Sequence, residues 1–243
     1  STYADGSTTL FDDNVSGPTQ GAVALNSTVP PLALTFDNPL VPYSLSGTGG
    51  ISGGTGLVKK GFQSLALNTA NNYTGATVLL GGTTSIHSIA NAGSPSSIGA
   101  ATASPANLLL AGGNLTYTGT AATTDRGFTI GAAGTTLGTS ADIRFDGEVV
   151  SNPDSNLIKT GTGKLGFGGS AAKTIGTVNK GLRINEGIVS FSGSGANTVA
   201  SELWIGDPLS TANAGLEVID SNLTSGSWLA VGIGNGTTGL SSD

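Results

Sequence analysis

Apolar and polar residues alternate over short segments of the chain, and glycine- or asparagine-rich turns separate these segments. In residues 57–86, Leu65 and Leu67 fall on one side of an extended backbone, and Ser64 and Ala66 fall on the other. A period of two over so few residues predicts short β-strands with one buried face. Apolar residues at the helical spacing i, i+3, i+4, i+7 are not sustained anywhere. The pattern therefore predicts an all-β chain.

The pattern of residues 57–86 returns one hundred residues later, with a drift of five residues by its end, where GGTTSI at 81–86 matches EGIVSF at 186–191. The matched positions are Leu57, Lys59, Gly61 and Leu65 with Leu157, Lys159, Gly161 and Leu165. A smaller echo pairs LWIG at 203–206 with LAVG at 229–232, a spacing that suits one turn of a solenoid. Repeats of this kind indicate stacked units. We expect one continuous β-solenoid over residues 1–243, with repeat copies near 57–91 and 157–191 and about ten turns.

The rest of the chain continues this pattern. Two strands are predicted around a Gly-Gly turn within 107–117, with Leu108, Leu110, Leu115 and Tyr117 pointing inward. Residues 86–98 are predicted to bulge as a loop or a single helical turn, and residues 236–243 are predicted to form a turn and the start of a strand at Leu240. Further strands are predicted at 9–11, 22–25, 32–36, 128–130, 143–145, 182–184 and 188–191.

Composition narrows the class of protein. Forty glycines and only 10% charged residues suit a solenoid with many tight turns, and an apolar fraction of 37% argues against disorder. A net charge of −6 with nine scattered basic residues predicts no nucleic-acid partner, and the lack of a long apolar run predicts no membrane insertion. The absence of cysteine excludes disulfides and thiolate sites. Ser1 is expected to be a processed boundary, left after removal of a secretion signal.

Candidate catalytic and metal motifs are incomplete, so we assign no catalytic, cofactor or metal residue. His87 is the sole histidine and no GxSxG elbow accompanies it, so it is interpreted as a surface or loop residue. GTGKLG at 161–166 fits G-x-G-x-x-G, but strand residues follow it where a phosphate loop needs a helix. Asp12, Asp13 and Asn14 lack the last glutamate of a calcium loop.

Two groups of residues can be interpreted either as functional sites or as ordinary parts of the solenoid surface. Trp204 and Trp228 point outward by alternation, and could stack on sugar rings or a partner protein, or cover the edge of a rung. The second group is the densest set of acids. As paired carboxylates they could serve glycoside hydrolysis, with calcium and a basic residue such as Arg144 they could serve a polysaccharide lyase, or they could simply face solvent. These acids are Asp142, Asp146, Glu148 and Asp154.

The segment at 57–86 resembles the autotransporter-associated β-strand repeat, also called the passenger-associated transport repeat. The resemblance rests on Leu57, Lys59, Gly61, Leu65, Leu67, Asn71, Tyr73, Thr74, Gly75, Thr77, Gly82 and Ile86. It implies a right-handed parallel β-helix, exported and displayed or released outside a bacterial cell, and by itself implies no enzymatic activity. The second copy departs from the repeat because residues 171–178 lack the NTYTG turn, so that turn is expected to close differently.

Two functions remain open at this point. The first is a non-enzymatic structural or adhesive rod, coat or filament component. It is expected to be either part of a longer exported chain or a filament subunit that associates end to end through its terminal rungs. The alternative is a β-helix that binds or cleaves polysaccharide. A groove of basic and acidic residues across neighbouring rungs would support the alternative, and a uniform Ser/Thr/Asn surface would support the rod.

Overall fold

The computed structural model describes residues 3–14, 21–178, 180–206 and 212–232. These residues form 25 strands, numbered β1 to β25 along the chain, and one short 3-10 helix, Pro105–Asn107. All the strand pairs are parallel, and successive strands along the chain belong to different sheets. This arrangement is a β-solenoid, as predicted.

Three sheets run along the solenoid. Sheet 1 contains β1 (Thr8–Phe11), β3 (Ala33–Asp37), β5 (Leu57–Lys60), β7 (Thr77–Leu79), β9 (Leu108–Leu110), β12 (Phe128–Ile130), β15 (Val149–Ser151), β18 (Lys173–Ile175), β21 (Asn197–Val199) and β24 (Leu223–Ser225). Sheet 2 contains β2 (Ala22–Ala24), β4 (Tyr43–Ser46), β6 (Leu65–Leu67), β8 (Thr83–Ile86), β10 (Asn114–Tyr117), β13 (Thr135–Thr139), β16 (Leu157–Thr160), β19 (Leu182–Ile184), β22 (Leu203–Ile205) and β25 (Leu229–Val231). Sheet 3 contains β11 (Ala122–Thr124), β14 (Ile143–Phe145), β17 (Lys164–Phe167), β20 (Gly187–Ser192) and β23 (Ala214–Ile219).

The solenoid changes from two strands per turn to three at β11. Ten strands in sheet 1 and ten in sheet 2 define ten rungs, which are separated by about nine turns. Leu57 of β5 pairs with Thr77 of β7, 20 residues later, whereas Leu157 of β16 pairs with Leu182 of β19, 25 residues later, so the turn that carries the second repeat copy is five residues longer. The extra strand β18 accounts for the five-residue drift between the two repeat copies. Strand β18 lies within residues 171–178, the segment that lacks the NTYTG turn of the first copy.

The two repeat copies lie on different sides of the solenoid. The first passes from sheet 1 into sheet 2, through β5 and β6, whereas the second passes from sheet 2 into sheet 3, through β16 and β17. The two copies therefore have the same local structure, a corner between two consecutive sheets, at different places around the solenoid. The smaller repeat, LWIG at 203–206 and LAVG at 229–232, spans one turn of the solenoid, because Leu203 pairs with Leu229.

The core is a column of inward side chains, as the alternation predicts. Leu65, Leu67, Leu157 and Leu165 are completely buried. Four inward positions predicted around the Gly-Gly turn are also buried, namely Leu108, Leu110, Leu115 and Tyr117. In sheet 3, Phe145, Phe167 and Phe191 are aligned in register, and the rings of Phe167 and Phe191 stack with centroids 5.2 Å apart. Aromatic stacking adds to the burial energy of such a column.

The lysine of the repeat lies inside this column. The Lys59 side chain is fully buried, and its Nζ donates to the carbonyl oxygens of Lys60, Gly61 (3.0 Å) and Gly81 (3.3 Å). Lys159 Nζ repeats the arrangement on the carbonyls of Thr160, Gly161 and Glu186, at 2.7, 2.6 and 3.1 Å. In each copy the third carbonyl belongs to the next rung, so each ammonium joins two consecutive corners.

Beside the buried Lys59 and Lys159 there is no room for a residue larger than glycine. A Cβ on Gly82 or Gly187 would lie 2.9 Å from Nζ of Lys59 or Lys159, respectively. Gly82 and Gly187 also have φ of +63° and +73°, a conformation that favours glycine. Burial lowers the pKa of both lysines from 10.5 to about 8.

The remaining repeat residues close the turn between β6 and β7. The buried Asn71 accepts from Ile51 N through Oδ1 (2.9 Å) and donates to Ser97 O through Nδ2 (2.9 Å), so it joins three successive turns of the chain. Tyr73 is also buried, and its hydroxyl contacts Thr77 Oγ1 at 2.7 Å.

The expected bulge after β8 is present. Residues 87–104 form no strand, and the buried Arg126 holds them by donating to the carbonyls of Ala90, Ser94 and Gly99. The strand predicted at Leu240 lies outside the described residues. The right-handed sense of the helix stays an expectation from the resemblance.

Candidate functional site

Trp204 lies on the outer face of sheet 2, with its indole partly exposed. In the parallel ladder it stands between Arg183 of β19 and Ala230 of β25. The Arg183 guanidinium carbon is 5.0 Å from the indole centroid, and Trp204 Nε1 donates to Glu202 Oε2 at 2.8 Å. A cation over an indole face is attracted by the ring quadrupole. Trp204 is thus held in place by two charged neighbours.

A pocket of about 240 Å³ opens beside Trp204. Its lining includes Asn156, Lys180, Arg183, Glu202 and Trp204. These residues are distant in sequence, and the pairing of β16, β19 and β22 brings them together. The tryptophan was predicted from alternation, whereas Asn156, Lys180, Arg183 and Glu202 were missed because no local pattern marks them.

Trp228 is separate from this pocket. It precedes β25, its side chain is 74% exposed, and its carbonyl accepts from Leu203 N. The neighbouring Leu229 pairs in register with the buried Leu203, but it is 60% exposed because it lies in the last described rung. Both tryptophans are therefore accessible, and within the part of the chain that the structure describes only Trp204 has polar partners arranged around it.

The acidic cluster is divided by the fold. Asp146 Oδ1 forms a salt bridge with Arg144 Nε at 2.6 Å, and Asp142 Oδ1 accepts from Lys164 N at 2.8 Å. Glu148 is exposed at the next corner, and Asp154 lies in the turn between β15 and β16 with a φ of +61°. The four acids therefore occupy three different places, and Asp146 is already ion-paired.

A groove of about 550 Å³ crosses the outer face of sheet 3 next to this cluster. Gly166 and Ser190 are paired in register at its floor. Arg144 stands on one side, and Lys164 binds Glu217 in a second salt bridge of 2.7 Å. The surface is thus a mixed one, with a groove of basic and acidic residues across neighbouring rungs.

The other candidate motifs have structural positions. His87 is exposed after β8, and residues 161–166 comprise the corner after β16 and the first three residues of β17. Asp12 accepts from the backbone and side chain of Asn14, and the backbone bond lowers its pKa; Asp13 accepts from Leu40 N and Val41 N. Across the described ranges, no group of three His, Asp or Glu side chains is placed to hold a metal ion, and no helix there has the length and apolarity to cross a membrane.

The chain is similar to part of a known autotransporter adhesin. The adhesin BmaC autotransporter of Brucella suis biovar 1 (strain 1330) is 35% identical over 200 residues, which is 77% of this chain and 6% of that protein. The chain therefore spans about 6% of the length of this curated relative. No family model matches the chain, and no solved structure matches it. Together with the parallel β-solenoid, this similarity to an autotransporter adhesin confirms the resemblance to autotransporter repeat proteins and indicates a secreted, cell-surface protein.

Proposed function

We propose that this chain is a non-enzymatic, adhesive part of a bacterial surface rod. The proposal rests on the similarity to an autotransporter adhesin and on the β-solenoid fold. The extended outer faces of a solenoid suit contact with other surfaces. The engagement of Asp142 and Asp146 by Lys164 and Arg144 supports a surface used for binding rather than for acid–base chemistry.

Adhesion is tested with beads that carry the 243-residue chain. The beads are counted on cultured cell layers and on glass coated with extracellular matrix. We expect more of these beads to bind than beads coated with the heat-denatured chain. Equal numbers on every surface would contradict an adhesive function.

We further propose that the solenoid associates end to end through its terminal rungs. In the described residues, β1 pairs only with β3, and β25 pairs only with β22. Apolar side chains are exposed at both ends, with Leu10 at 57%, Val231 at 51% and Ile219 at 51%. A cavity of about 750 Å³ opens among core residues such as Phe11 and Leu34. An unpaired strand edge is a template for another strand, so a second solenoid end is the fitting partner.

Light scattering on the isolated chain tests this association. We expect particle mass to rise with concentration and to depend little on salt, because backbone hydrogen bonds and apolar contacts form the joint. Introducing a charge at both ends, with Leu10→Lys and Val231→Lys, should reduce the association. A strictly monomeric wild-type chain at high concentration would refute the proposal.

Polysaccharide binding is the second candidate function. It is supported by the groove on sheet 3, where Arg144, Lys164 and Glu217 line a floor of Gly166 and Ser190. It is also supported by the partly exposed indole of Trp204, since aromatic rings combine a large apolar surface with a polar group.

A further inference from the structure

The positive charges of the chain are distributed unequally. Of the nine basic residues, four are buried in structural positions: Lys59, Arg126, Lys159 and Lys173. Two more, Arg144 and Lys164, form salt bridges. Of the remaining three, Lys180 and Arg183 line the pocket beside Trp204, and neither is ion-paired within the described residues. On a chain with a net charge of −6, this pocket holds a local excess of positive charge.

Both cations of this pocket have N–H groups that can donate to a ligand. The Arg183 guanidinium carbon lies over the Trp204 ring, 5.0 Å from its centroid, and a guanidinium has five N–H donors. Lys180 Nζ donates to Asp154 O at 3.0 Å, and an ammonium has two further protons. Ammonium and guanidinium groups both donate charge-assisted hydrogen bonds to carboxylates.

Two other residues of the pocket lining, Glu202 and Asn156, suit hydroxyl groups. Glu202 uses Oε2 for the indole N–H, and its second oxygen can accept from a hydroxyl. The Asn156 amide can both donate and accept. Gly181 lies between them, and a Cβ there would be 1.9 Å from Glu202 O, so the floor is held open by a residue that cannot be larger.

We propose that this pocket binds one uronic acid residue of an extracellular polysaccharide. Arg183 and Lys180 bind the sugar carboxylate, Asn156 and Glu202 bind ring hydroxyls, and the part of the Trp204 indole that Arg183 leaves exposed packs against the pyranose C–H groups. The inference rests on the polysaccharide-binding form of the proposed function. The pocket volume of about 240 Å³ is below the about 300 Å³ at which pockets for whole drug-sized ligands begin, which favours one unit of a polymer.

The side chains of the pocket favour a sugar over an acidic peptide as the ligand. A peptide carboxylate would satisfy the two cations, but it brings neither hydroxyls for Asn156 and Glu202 nor a saturated ring for the indole. A uronic acid supplies all three in one unit.

The test uses the 243-residue chain and immobilised polygalacturonate, with fully methyl-esterified polygalacturonate and polyglutamate as comparison polymers. We expect the wild type to bind polygalacturonate at least about tenfold more tightly than either comparison polymer, a difference of about 1.4 kcal/mol. Trp204→Ala and Arg183→Ala should each weaken binding about tenfold or more. Trp228→Ala is the matched control, since it removes an exposed indole outside the pocket, and it should leave the affinity unchanged.

Each alternative result overturns the proposal. Equal binding of polyglutamate means that charge alone is recognised, and equal binding of the methyl ester means that the carboxylate is not. Loss of affinity in Trp228→Ala but not in Trp204→Ala places the site elsewhere. Circular dichroism checks that each variant is folded. If no polymer binds while the coated beads still adhere to surfaces, the uronic acid site fails and the adhesive function stands.

Discussion

Replacing the buried Lys59 by methionine tests the corner that the repeat preserves. The substitution keeps an unbranched stem but removes the ammonium that binds the carbonyl oxygens of Lys60, Gly61 and Gly81. The neighbouring side chain of Lys60 is exposed. Lys60→Met is therefore a matched control, with the same chemical change one residue away.

Two opposing energies determine the expected magnitude. A buried carbonyl left without a donor costs about 1–3 kcal/mol, so three of them cost about 3–9 kcal/mol. Against this, the wild type at neutral pH carries the cost of a buried charge, because a Lys59 pKa of about 8 instead of 10.5 corresponds to about 3 kcal/mol. We expect Lys59→Met to lower the free energy of unfolding by about 3 kcal/mol, and Lys60→Met to change it by less than about 0.5 kcal/mol.

The pH dependence has a definite sign. Below pH 8 the Lys59 amine is protonated in the folded and unfolded states, whereas between about 8 and 10.5 the unfolded chain binds the proton more strongly. Stability from this group therefore rises with pH through that window. Between pH 7 and about pH 9.5 the difference between wild type and Lys59→Met should grow by about 2 kcal/mol. The burial of Tyr73 raises its pKa, so its ionisation lowers stability at higher pH, and the measurement stays below about pH 10.

Urea unfolding followed by far-UV circular dichroism measures these differences. The midpoint and slope are fitted for wild type, Lys59→Met and Lys60→Met at each pH. Wild-type stability in Lys59→Met at neutral pH would show that the carbonyls do not need the ammonium. A difference that stays constant or shrinks as pH rises would show that Lys59 does not titrate in this window.

Three further substitutions test the core, a corner and the bulge. Leu65→Asp places an unpaired charge in the column and should abolish the β signal, whereas Ala66→Asp on the outer face should retain it; a wild-type melting temperature in Leu65→Asp would show that the inward assignment is wrong. Gly61→Ala should destabilise by more than about 1 kcal/mol because its φ is +68° and its Cβ would lie 2.6 Å from Asn38 C, with Gly54→Ala, which meets nothing within 4 Å, as the control; equal melting temperatures would contradict this. Arg126→Met should increase hydrogen exchange and proteolysis in residues 87–104, and unchanged protection there would refute the anchoring role.

The sequence by itself determined which residues point inward. In each short strand the period of two places alternate side chains on one face, and this is a local property of an extended backbone. It was sufficient to predict the buried positions of Leu65, Leu67, Leu108 and Leu115, and the outward position of Trp204. The spacing between the echoes at Leu203 and Leu229 likewise predicted a true rung.

Only the tertiary structure decided which residues stack on one another. The five-residue drift was visible in the sequence, but its meaning, an added strand β18 in a three-sheet turn, depends on where the chain folds back. The same holds for Lys59, because an inward lysine is tolerable only when the next rung brings Gly81 O within reach. Arg183 and Glu202 meet Trp204 for the same reason, since turn length sets the register between rungs and no local pattern encodes it.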